Sequence, residues 1–106
     1  MIPVSNTLML PYLKLLADNR EWQFQGMVEA LAHHFRVNSE ERQRMIPSGQ
    51  KVFDYHVGYC RTIFRRYGLV EQTRLGYVRI TQKGIDVLAR KPKQIDIMYL
   101  KMVDGY

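Results

Sequence analysis

One stretch of this chain restricts its folding more than any other. From Gln50 to Tyr67, large apolar residues and one cysteine recur at Phe53, Val57, Cys60, Phe64 and Tyr67, in steps of four, three, four and three. That spacing marks one face of a helix, and Gly68 stands where a left-handed residue closes a helix C-terminus. At about 100° per residue, Gly58 and Thr62 fall almost opposite Cys60. Tyr55, Arg65 and Arg66 flank them, with Asp54 and Arg61 further round. The helix therefore buries one side and turns Arg, Tyr and Thr outward. Leu69–Gln72 and Tyr77–Ile80 read as two short strands directly after it, joined by Thr73-Arg74-Leu75-Gly76 as a glycine-containing hairpin loop. Strand alternation sends Val78 and Ile80 to one face and Tyr77 and Arg79 to the other.

The remaining segments supply partners for that buried face. Leu8–Ala17 has Leu8, Tyr12, Leu15 and Leu16 at helical spacing, with Pro11 either in the first turn or at a kink. Phe24–Phe35 is a second helix, with Phe24, Met27, Val28, Leu31 and Phe35 on one stripe. Arg20-Glu21-Trp22-Gln23, between them, leaves room for only a short extended piece. Asn38 or Ser39 caps a brief helix whose first turn holds Glu40 and Glu41, and Pro47-Ser48-Gly49 breaks the chain after it. Thr81 is an N-cap for a last helix reaching Arg90, with Ile80 and Ile85 placed as a hydrophobic staple. Lys91-Pro92-Lys93 interrupts that helix, so residues 1–90 read as one domain and 91–106 as a segment leading to a linker or an interaction helix.

Charge is distributed unevenly. Of the net +6, residues 1–50 contribute nothing, with five basic and five acidic side chains. Residues 51–90 carry eight basic side chains against Asp54, Glu71 and Asp86, a net of +5. Such clustering is the electrostatic footprint of a polyanion binder, although a basic surface without a partner has the same composition. No apolar run approaches the ~18 residues of a membrane span, and the N-terminus lacks the basic start and apolar core of a signal peptide. The single cysteine offers neither an internal disulfide nor a zinc site by itself. The expectation is a cytoplasmic domain without metal or cofactor.

A compact helical core that ends in a long basic helix and a β-hairpin is an α+β, mostly α arrangement, that of a winged helix-turn-helix. In this plan the helix fits the major groove of DNA while the hairpin reaches the neighbouring backbone or minor groove. Ile2-Pro3-Val4, Leu10–Asp18, Ile46-Pro47-Ser48-Gly49, Tyr67–Glu71 and Gly76–Gly84 follow one another in a specific order and spacing. In these stretches the chain resembles a known family, the N-terminal domains of Mrr-type restriction endonucleases, which are modification-dependent enzymes, and Ile95-Asp96 and Leu100 are similar to the family's exit segment. The chain departs from the family pattern at His56, where Arg is usual, and at Tyr59, where Trp is usual. The resemblance implies DNA recognition, including methylated DNA, in a protein whose separate C-terminal PD-(D/E)xK domain cuts. That nuclease element needs an acid two residues before a lysine. The residues at that offset here are Tyr12, Gly49, Thr81, Ala89, Lys91 and Tyr99, so this chain is not expected to be an enzyme.

The reading assigns Lys51, Tyr55 and Thr62 to base edges, and Arg61, Arg65, Arg66, Arg74 and Arg79 to positioning on phosphates. Arg74 is expected at the hairpin tip. Cys60 falls on the core stripe and reads as a small hydrophobe rather than a nucleophile, and His33-His34, His56 and Trp22 read as solvated or packing residues. The competing reading is a winged helix that mediates protein contact or homodimerisation, with Ile95, Ile97, Met98, Leu100, Met102 and Val103 as its apolar docking segment.

Overall fold

The computed structural model describes residues 1–104. Helix α1 spans Ser5–Leu15 and runs into a short 3-10 turn over Leu16–Asp18, which Asn19 closes in the left-handed region at φ 62°. The helix starts three residues before Leu8, the expected start, which places Pro11 in the helix interior and past the first turn. There the ring removes one donor from the ladder. Strand β1 is Trp22–Gln23, followed at once by helix α2 at Phe24–His34. Helix α3, Ser39–Gln43, is capped by Asn38 in a full capping box: its side chain accepts from Glu41 N–H, and the Glu41 carboxylate accepts from Asn38 N–H.

Helix α4 covers Val52–Arg66, so Lys51 sits at its N-cap position and pairs through its backbone with Met45. Phe53, Val57, Cys60 and Phe64 are buried as their spacing requires, and Ile63 joins them; Tyr67 is half-buried. Tyr12 of α1 packs against Phe64 with ring centroids 5.7 Å apart. Gly68 takes φ 79° after the helix, a conformation that costs glycine little and other residues more. Burial raises the Cys60 thiol to about 12, and its Sγ hydrogen bonds to the Ser5 carbonyl at 3.5 Å. Cys60 is a core side chain, and His56 is tied to the start of α1 by a 2.8 Å hydrogen bond from its Nδ1 to Ser5 Oγ.

Strands β2 (Val70–Arg74) and β3 (Tyr77–Ile80) form the hairpin, and β1 adds to the other edge of β3, giving an antiparallel sheet of order β1-β3-β2. Trp22 pairs with Val78 and Gln23 with Tyr77. Two expectations are corrected here. The turn is Leu75-Gly76 alone, because Arg74 pairs with Tyr77 after a register shift that leaves Thr73 as a bulge. Arg74 therefore ends a strand and Leu75 occupies the tip. The bulge admits the extra residue that a four-residue loop was expected to take up.

Thr81 links hairpin to helix. Its hydroxyl accepts from Gly84 N–H as the N-cap of helix α5 (Gln82–Ala89) and donates to the Gly68 carbonyl at 2.6 Å. Beyond Lys91 and Pro92 the chain forms helix α6, Ile97–Val103, capped by the Asp96 carboxylate on Tyr99 N–H at 2.8 Å. The docking reading of this segment needs correction for most of its apolar residues. Ile95 and Leu100 are 0% exposed within the same core as α1, α2 and α4, and Ile97 and Val103 pack against it. Met98 and Met102 face outward at 67% and 71% exposure. Lys83 secures the end of α6: its ammonium donates to the Tyr67 carbonyl at 2.8 Å and pairs with Asp104.

Candidate nucleic-acid interface

The outward face of α4 and the hairpin enclose a recess of about 240 Å³, lined by Arg61 and Arg65 from the helix and Gln72, Leu75, Gly76, Tyr77 and Val78 from the hairpin. Residues four apart on a helix are neighbours, so two guanidiniums here repel unless an anion lies between them. Arg61 is held in place: its guanidinium lies 4.4 Å from the Phe24 ring centroid, a cation–π contact at the start of α2. Gly58, one turn earlier, lies under the same ring, where a Cβ would make only an ordinary contact with Phe24 at 3.8 Å. Among the described residues neither Arg61, Arg65, Arg66 nor Lys51 has a carboxylate within ion-pair distance.

A second recess, also about 240 Å³, lies along the helix toward its N-terminus and is lined by Gln50, Tyr55, Gly58, Tyr59, Arg61 and Thr62. Arg61 borders both, which makes one continuous strip from the start of α4 to the hairpin. Tyr55, Thr62, Arg65 and Arg66 are all exposed along this strip. Lys51 lies at the far end of α4; the hydrogen bond from Arg42 chiefly holds the Glu29 carboxyl below the usual range, and the Lys51 charge adds least to this.

The two hairpin arginines differ from this group because each already meets a carboxylate. Arg74 stacks over Tyr77 at 3.8 Å and reaches Glu21 with Nε to Oε1 at 3.3 Å. Glu21 also accepts from the Thr73 hydroxyl, chiefly for which its carboxyl titrates below the usual range. Arg79 lies 3.6 Å from Glu71 across the hairpin, both of them well exposed. Exposed pairs of this kind are worth little in water, so phosphate can displace these carboxylates.

Residues 6–90 match the family model described as the Mrr N-terminal domain, which is most of the chain. The chain belongs to that family. No curated protein and no solved structure matches it. Membership associates the Mrr N-terminal domain described here with restriction systems and with a non-catalytic part of them. Among the described residues no group of three His, Cys, Asp or Glu side chains is arranged to hold a metal ion. Among the described residues no helix is long and apolar enough to cross a membrane.

Of the eight residues singled out in the sequence, Tyr55, Arg61, Thr62 and Arg65 line the two recesses, and Lys51, Arg66, Arg74 and Arg79 line neither. Gln72, Leu75, Tyr77, Phe24 and Glu21 join the candidate interface without having been singled out. Tyr77 had a signal in the sequence, its place beside Arg79 on the outward side of β3. Glu21 and Phe24 had none, since only pairing of β1 with β3 brings them to the hairpin.

Proposed function

We propose that this domain binds duplex DNA and supplies target recognition to a nuclease domain carried by the same parent protein. In this reading α4 lies in the major groove with Tyr55 and Thr62 toward base edges, and Arg61, Arg65 and Arg66 engage phosphates. One observation carries it: three arginines without carboxylate partners among the described residues lie on the outward side of one helix, beside the hairpin. The restriction-system association of the family agrees with it.

The test is titration of a labelled duplex over a salt series. If Arg61, Arg65 and Arg66 each neutralise one phosphate, log affinity falls against log salt with a slope of about −2.7. Arg65→Ala lowers that slope by about 0.9, while Arg20→Ala, at a residue paired with Asp18, leaves it unchanged. A flat salt dependence, or no binding at about 50 mM salt, refutes the proposal. A second reading, contact with another protein or a second copy, draws on Met98 and Met102, exposed one turn apart on α6. Sedimentation of Met98→Lys and Met102→Lys beside the unmodified chain tests it.

A further inference from the structure

The most exposed large apolar side chain inside the fold is Leu75, 90% accessible at the tip of the hairpin. Its backbone is nevertheless rigidly held. The Gly76 carbonyl next to it accepts from Phe24 N–H at 3.0 Å, and Gly76 takes φ 82° to complete the two-residue turn. On the other side, Thr73 and Arg74 are both held by Glu21. A leucine kept in water on so well-anchored a turn gains nothing for the fold, and its side chain borders the recess that contains Arg61 and Arg65.

We infer that Leu75 is an apolar wedge that enters the minor groove of duplex DNA and partly unstacks one base step. The inference rests on the DNA-binding reading above. A phosphate strand lying in the Arg61–Arg65 recess has the major groove on the α4 side and the minor groove on the Leu75 side. The minor groove, about 6 Å wide, admits a two-residue turn but not a helix. Arg74, stacked on Tyr77, stands beside the wedge to meet the flanking phosphate. Apolar side chains placed in this way open a base step and bend the duplex toward its major groove, most readily at flexible pyrimidine–purine steps. Leu75 thus adds a preference for deformable sequence that no base-edge contact from α4 would supply.

The experiment uses the full chain and short duplexes with 2-aminopurine at a single TpA step, placed at successive positions. Unstacking raises the fluorescence of this base. The expected result is a rise on binding at one or two positions. Leu75→Ala binds about tenfold more weakly with an unchanged salt slope and without the rise, and Leu75→Met retains the rise. Because Leu75 is exposed, both variants melt with the unmodified chain. Binding without a rise at any position, or a rise that survives in Leu75→Ala, overturns the wedge and leaves DNA binding standing. Absence of binding by the unmodified chain overturns both.

Discussion

Replacing Leu100 with alanine is expected to destabilise the whole domain, although the residue lies in a segment that reads as a tail. The side chain is 0% exposed and joins the core shared by α1, α2 and α4. Removing a fully buried leucine loses its transfer free energy and leaves a cavity, together about 2–5 kcal/mol. A domain of this size has only about 5–15 kcal/mol in total. At about 4–8 °C per kcal/mol, a loss near 3 kcal/mol lowers the melting temperature by roughly 12–24 °C. Met102→Ala, two residues away and 71% exposed, serves as control and is expected to stay within about 0.5 kcal/mol. Differential scanning calorimetry of both variants at one protein concentration makes the comparison. If Leu100→Ala melts with Met102→Ala, α6 is not part of the core and the packing argument fails. Deleting residues 94–106 is the stronger form of the same test. It removes Ile95 and Leu100 together with the Asp104 partner of Lys83, so cooperative unfolding is expected to be lost or greatly weakened.

Glu21→Gln keeps an acceptor for Thr73 but removes the carboxylate facing Arg74, and is expected to tighten duplex binding severalfold at low salt, as measured by fluorescence anisotropy; weaker binding would show that Glu21 positions the hairpin rather than competing with phosphate. Burial lowers the affinity of His56 for a proton, so the folded state holds it neutral while the unfolded chain binds a proton near the usual value of about 6.5. Stability is therefore full above that value and falls as the pH drops through it toward the lowered one, and thermal melts between about pH 7 and 5 are expected to show a loss that His56→Asn reduces. Gly84→Ala would drive a Cβ against the Leu69 carbonyl oxygen and set it 2.6 Å from Ile80 Cγ1. Because one neighbour is backbone, chemical denaturation is expected to show a cost of at least about 1–3 kcal/mol, and a variant as stable as the parent would refute the close approach.

What the sequence determined by itself is what depends on neighbours a few residues apart. The stripe from Phe53 to Phe64, the cap functions of Asn38 and Thr81, the left-handed Gly68 and the outward face bearing Arg61, Thr62 and Arg65 all follow from helical period and local hydrogen bonding. The structure keeps each of them. Tertiary structure decided what depends on which surfaces meet. Two residues, Trp22 and Gln23, are too few to show strand periodicity, yet their pairing with β3 brings Glu21 and Phe24 to the hairpin. That pairing converts Arg74 from a free cation into a stacked and partnered one, and leaves Arg61 and Arg65 as the open pair. Ile95 and Leu100 gave a pattern equally suited to docking on another protein and to closing the core. Helical spacing defines an apolar face but not its partner, and here the core of the same chain took up Ile95 and Leu100.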